Sequence, residues 1–246
     1  MDRLIHTALS GMRASMDSQR VIASNMANAN TLGFRAELVD ARSVTIEGLP
    51  NEARSMQTAR VRGADMKAGE IIETGRSLDI AIETDALMAV QAEDGTEAYT
   101  RRGDLSISAT GLLVNGDGRP VMGDNGPITV PPTGIPAISP DGTITISDPA
   151  VPDQPPAEIG RIKLAGWQGS PIQKGLDGLF RVEGGGILPL DETATVRVGG
   201  LEQSNVSTTE VLVEMIDAQR LFAMRSKMIA TAREIDESGA QLMRLG

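Results

Sequence analysis

The chain has 246 residues, 40% of them hydrophobic but only 2% aromatic, and a formal net charge of −10. That charge excludes electrostatic capture of nucleic acid or of an anionic membrane surface, and the absence of cysteine excludes disulfide and thiolate chemistry. With one Trp, one Tyr and three Phe, the core must be built from aliphatic side chains and the twelve Met.

Residues 2–28 have helical spacing. Steps of three and four give Ile5, Leu9, Met12, Met16, Gln19, Ala23 and Met26, apolar except for Gln19. This is the narrow seam of a coiled coil rather than a broad core-facing stripe. At 1.5 Å per residue such a helix is about 40 Å long. It ends in Ala23-Ser24-Asn25-Met26-Ala27-Asn28-Ala29-Asn30-Thr31-Leu32-Gly33-Phe34, where Asn30 and Gly33 are suited to positive φ and Phe34 is placed to anchor the exit. The start, Met1 to His6, has neither the apolar region nor the cleavage site of a Sec-type signal. No stretch approaches eighteen apolar residues, so no membrane insertion is expected. These features alone point to the cytoplasm.

The helical pattern dissolves after residue 30, and residues 31–75 read as an extended arm with hairpins. Residues 76–200 read as a β-rich central domain. Leu78–Ile82, Leu105–Ile107 and Thr143–Ile146 alternate, and Asp-Gly or Asn-Gly turns recur, among them Asp94-Gly95, Asp141-Gly142 and Asp177-Gly178. Val151 to Ala157, with Pro155-Pro156, reads as a surface loop.

Residues 206–244 return to helix, within a C-terminal helical segment at 201–246, with Ser207, Thr208 or Thr209 as cap and Glu210 in the first turn. Leu221, Met224, Met228, Thr231, Ile235, Ser238, Leu242 and Leu245 form a second seam of the same width. Neither helix is stable alone in water. The spacing therefore predicts an α+β fold in which the long terminal helices, 1–30 and 201–246, pair in a coiled-coil-like layer beside the mainly β centre. Packing of both helices onto the β body fits the same spacing.

Catalytic equipment is scarce. The lone His6 sits on the first helix, and no known nucleophile, phosphate-loop or metal spacing is present, so no enzyme activity, cofactor or small-molecule substrate is expected. Gly116-Asp117-Gly118 near Asp124 lacks the ligand order of a calcium loop and reads as tight turns. Asp79, Glu83 and Asp85 offer the carboxylates of a cell-wall glycan hydrolase, without aromatic side chains to stack sugars. Asn205-Val206-Ser207 is formally a glycosylation sequon. A third class, an adhesin with trimerising helical ends, fits the same outline.

The helix-ending stretch, completed by Arg35, resembles the N-terminal signature A-N-N-[LI]-A-N-x-N-T-x-G-F-[KR] of the flagellar basal-body rod and hook proteins. Gly75-Arg76-Ser77-Leu78-Asp79-Ile80-Ala81-Ile82 is similar to that family's T-G-x-x-L-D-x-A-I. Gly200-Leu201-Glu202-Gln203-Ser204-Asn205-Val206, with Glu214-Met215-Ile216 and Gln219-Arg220-Leu221-Phe222, resembles its C-terminal signature. The resemblance covers essentially the whole chain. Within the family, Glu97–Leu105, Gly126–Pro131 and Asp177–Arg181 are most similar to the proximal-rod members, ahead of distal-rod or hook-like ones. Glu83–Met88 replaces the Gly-x-Gly-aromatic segment of many relatives.

The resemblance implies a structural subunit of the rod, exported unfolded by the flagellar export apparatus without a cleaved signal. Such subunits assemble with copies of themselves and other rod proteins into a helical tube crossing the periplasm, which moves the expected location out of the cytoplasm. The assembly seam would comprise Leu9, Met12, Met16, Met26, Leu221, Met224, Met228, Ile235 and Leu242. The family motif positions are Asn25, Asn28, Asn30, Thr31, Gly33, Phe34, Leu78, Asp79, Glu202, Ser204, Asn205, Val206, Arg220 and Phe222.

Overall fold

A computed structural model describes residues 2–46, 54–132, 134–148 and 155–244. Helix α1 (Asp2–Ala27) opens the chain, helix α2 (Thr208–Arg244) closes it, and short strands fill the middle. Both helix ends are made by local polar groups. At the end of α1 the Asn28 side-chain amide donates to Ser24 O at 2.8 Å. At the start of α2 the Ser207 hydroxyl accepts the Glu210 N–H, and Glu210 stands in the first turn, where its charge complements the free amides. The chain divides into two units, Met1–Ala29 with Glu37–Asp65 and Val206–Gly246, and Asn30–Ala36 with Met66–Asn205.

In the first unit, β1 (Glu37–Ile46) and β2 (Arg54–Ala64) form one long antiparallel hairpin whose strands pack on α1. The register slips once, at Leu38/Val39. The buried face of α1 includes Ser10, Gly11, Ala14 and Ser15. Such small side chains let backbones approach closely, and two polar contacts use that proximity. Gln19 donates to Ala218 O at 3.2 Å, and the Arg225 guanidinium donates to Gly11 O and Ser15 Oγ. The pairing is antiparallel, because rising numbers on α1 meet falling numbers on α2.

In the second unit, β3 (Ile71–Glu73) pairs with Gly200–Glu202 and β4 (Ile80–Ile82) pairs with Val196–Val198. A five-stranded sheet runs in the order Leu164–Gly166, β5 (Ala86–Gln91), β6 (Glu97–Thr100), Phe180–Val182, Ile172–Lys174. Ile135–Ile138, Thr143–Ser147 and Ala157–Arg161 form a separate three-stranded sheet. The core contains Met88, Val90, Leu105, Ile144, Ile162 and Leu164. The lone Tyr99 is fully buried with its hydroxyl engaged, donating to Glu97 Oε1 at 2.6 Å and accepting the Leu188 N–H at 2.7 Å. Burial, reinforced by the Glu97 carboxylate, pushes its phenol pKa well up.

The expected loop at 151–157 falls mostly outside the described residues, as does Leu245, and so do the side chains of Ile5, His6 and Leu242. Among the described residues no non-glycine has positive φ, so Asn30 does not take the left-handed turn expected of it; Gly33 takes it alone, at φ 66°.

The Asp177-Gly178 turn closes the hairpin between Ile172–Lys174 and Phe180–Val182. Asp177 accepts two hydrogen bonds from Arg181 and one from Arg119. The Arg181 bonds lead in lowering its carboxyl pKa from 3.8 to about 2. A folded-state value below the unfolded one means that the stabilisation is complete above pH 3.8 and is lost as pH falls towards 2. Asp177→Asn should therefore lower stability by about 1 kcal/mol near neutrality, the scale of a partly solvated pair. Chemical denaturation at a series of pH values should show this difference vanish below about pH 2.

Candidate functional site

The two seams are mostly uncovered in the single chain. On α1, Leu9 and Met16 are exposed and Met12 and Met26 are half-buried, beside the small-residue face that meets α2. Among the described side chains of α2 the covered positions are Val211, Met215, Ala218, Phe222, Arg225 and Ile229, at alternating steps of four and three. Leu221, Met224, Met228 and Ile235 form an adjacent row one residue away, and Met224 and Met228 are 59% and 61% exposed. The structure therefore brings α1 against a neighbouring row of α2 and leaves the predicted row open. The next heptad positions make the covered row legible in hindsight, since Phe222 and Ile229 are seven apart. Arg225 in the middle of it is what hides it. Arg220 lies on an exposed face.

The N-terminal motif divides its work between the two units. In the first, Asn25 is buried and grips the start of β1 by both ends of its amide: Nδ2 donates to Glu37 O at 3.0 Å and Oδ1 accepts Glu37 N–H at 2.8 Å. Ser24 adds a bond to the Glu37 carboxylate. Asn28 closes its own helix, and Asn30 is exposed.

In the second unit the remaining motif residues meet the C-terminal motif. Thr31 O accepts the Phe34 N–H, and Gly33 N–H donates to Glu202 O at 2.8 Å. Phe34 is buried beneath Lys174, whose Nζ lies 3.3 Å from the ring centroid and donates to Arg35 O. The Glu202 side chain is fully buried, with Arg35 Nη2 at 2.5 Å from one oxygen and Arg101 Nε at 2.6 Å from the other. The Gly69 N–H donates to the same carboxylate at 2.8 Å. Arg101 spends its other donors on Ile82 O, Thr84 O and Ala86 O. Asn205 repeats the gesture of Asn25: Oδ1 accepts Ala36 N–H and Nδ2 donates to Lys67 O. Ser204 and Val206 are half-buried beside it.

Leu78 packs against the core, and Asp79 is buried, accepting the Thr74 hydroxyl at 2.7 Å with Arg76 at 3.5 Å. Glu83 pairs with Arg197, and Asp85 accepts a hydrogen bond from Gln168. These partners occupy the carboxylates considered for glycan hydrolysis. Asp117 likewise binds Arg102. Sequence reasoning missed Arg101, Gly69 and Arg225 as participants. Arg35 and Arg101 each stand inside a recognised motif, but nothing local says that their counter-charge is Glu202, 167 and 101 residues away.

Three family profiles match the chain in order: "Flagella basal body rod protein" over residues 5–35, "Flagellar hook protein FlgE/F/G D1 domain" over 81–146, and "Flagellar basal body rod FlgEFG protein C-terminal" over 197–242. The chain is 40% identical to the flagellar basal-body rod protein FlgF of Salmonella typhimurium and to that of Escherichia coli, in each case over 99% of both chains. It is 32% identical to the rod protein FlgG of Bacillus subtilis, over 99% of this chain and 100% of the relative.

Gly33 carries a sharp test of the junction. A Cβ there would lie 2.5 Å from the Arg101 carbonyl carbon, backbone against backbone, on top of the positive φ. At Gly95 (φ 80°) an added Cβ meets nothing within 4 Å. Denaturant midpoints should show Gly95→Ala costing about 1 kcal/mol from φ alone, and Gly33→Ala costing at least about twice that.

Proposed function

The chain belongs to the flagellar basal-body rod protein family, and from that premise we propose that it is a structural subunit of the proximal rod, polymerising with copies of itself and other rod proteins into the axial tube. In this reading the terminal helices, 1–30 and 201–246, pair in a coiled-coil-like inner layer around the export channel. The arm at 31–75 and the β domain at 76–200 lie outside it. The subunit arrives through the flagellar export apparatus, crosses into the periplasm, and transmits torque as part of the tube. It works without catalysis or cofactor.

The observation that carries this reading is the open row Leu221, Met224, Met228 and Ile235 on α2, adjacent to the row already occupied by α1. Four large apolar side chains at heptad-type spacing on one helix wall are a contact surface, since burying each is worth about 1.5–3 kcal/mol. Leu9 and Met16 supply a matching open row on α1. The proximal reading is supported by the resemblance of Glu97–Leu105, Gly126–Pro131 and Asp177–Arg181 to proximal-rod members, and by 40% identity to two FlgF relatives against 32% to the FlgG relative of Bacillus subtilis.

Leu221→Asp and Met228→Asp should leave the purified monomer folded, with circular dichroism and melting temperature close to the parent, because both side chains are exposed there. In cells the same variants should stop rod growth and abolish swimming, seen as truncated basal bodies by electron microscopy. Normal swimming by either variant would sink the reading.

A further inference from the structure

The chain passes between its two units at four points, after residues 29, 36, 65 and 205. On the second unit, every one of these crossings is flanked by residues tied to one short segment, Gly200 to Asn205. Glu202 holds the first two, through Gly33 N–H to its carbonyl and Arg35 to its carboxylate. It holds the third through Gly69 N–H. Asn205 bonds both Ala36 N–H and Lys67 O, and Gln203 N–H donates to Glu70 O. The segment is also the strand partner of β3, pairing Gly200 with Glu73, Leu201 with Ile72 and Glu202 with Ile71.

We propose that residues 200–205 act as a strap that gathers all four crossings into one clamp, and that the clamp opens and closes as a single cooperative unit keyed by Glu202. The cause is electrostatic. Arg35 and Arg101 are buried, and both point at the same buried carboxylate. If the strap leaves, two guanidiniums lose that counter-charge together, so segment 30–36 does not keep its place. Segment 66–70 loses the bonds that Gly69, Lys67 and Glu70 make with the strap at the same time. Partial opening is penalised for the same reason, since Arg35, Arg101 and Gly69 share the one Glu202 carboxylate and Gly33 bonds the carbonyl of the same residue. The close packing of Gly69 under the strap adds a steric latch: a Cβ on it would lie 2.0 Å from Gln203 O. Because the strap is the last segment of the second unit and leads directly into α2, the clamp closes only once the chain has been delivered as far as Asn205.

Hydrogen exchange on the full-length chain tests this. The amides of Gly33, Ala36, Gly69 and Gln203 should exchange with one common protection factor and one denaturant dependence. The amides of Ala89 and Gln91, bonded within the central sheet, should be slower. Glu202→Gln should speed the four clamp amides by a shared factor of about a hundred or more, as expected for removing one partner of a buried ion pair, and leave Ala89 and Gln91 unchanged. If Glu202→Gln does not fold, Asn205→Ala gives the same reading with a smaller shared factor of about ten. Acceleration confined to residues 200–205, or unequal factors among the four amides, would overturn the proposal. So would equal acceleration of the clamp and the central sheet.

Discussion

A carboxylate shut away from water between two guanidiniums constrains everything around it. Glu202 has no solvent to fall back on, and neither do Arg35 and Arg101. Such a cluster contributes little to absolute stability, since desolvating the three charges offsets most of their attraction. Its effect is on choice of structure. Any arrangement that separates one member from the others strands a charge in a low-dielectric interior, so competing arrangements are raised in free energy far more than the native one is lowered. The planar fork of arginine suits this better than an ammonium would, because Arg101 serves Glu202 and three backbone carbonyls from a single fixed plane. Sequence motifs far apart in the chain thereby become one local structure.

The two units use opposite ways of holding themselves together. The β unit buries aliphatic side chains and closes its polar groups on one another, as Tyr99, Glu97 and Lys163 do in series. The helical unit packs a small-residue face of α1 against a half-covered row of α2, and much of its apolar surface stays in water. Helices whose described side chains leave this much apolar surface in water sit at the low end of local stability. On the proposed reading that is a useful property, because ordering of the helices and their association with other chains then draw on the same contacts.

Much of this was legible from residue patterns. The 3.6-residue period fixed both terminal helices to within two residues, and the Asp-Gly dipeptides marked real turns, because these signals are local. What lay beyond reach was pairing. The hairpin of β1 and β2 lies with the terminal helices because α1 covers it, a fact no window of its own sequence contains. The covered row of α2 escaped notice because an arginine interrupts it, while the cleaner hydrophobic row beside it turned out to be the one in water. In sequence the motif asparagines read as parts of a helix-ending stretch and, at Asn205, as a formal glycosylation sequon. Two of them, Asn25 and Asn205, are instead bridges that clamp a neighbouring backbone of the same chain. Motif membership named positions without their partners, and only the folded chain gives Asn25, Glu202 and Asn205 theirs.

The two rows on α2 have a consequence for valency. Positions one residue apart on a helix point about 100° apart around its axis. A helix with one seam is satisfied by one neighbour, and association ends at a pair. With a second seam turned by that angle, the helix that has found its first partner still presents an unsatisfied edge, off to one side rather than opposite. Repetition of such a connector bends the growing layer instead of extending it flat, so curvature is already written into which two faces of a single helix are greasy.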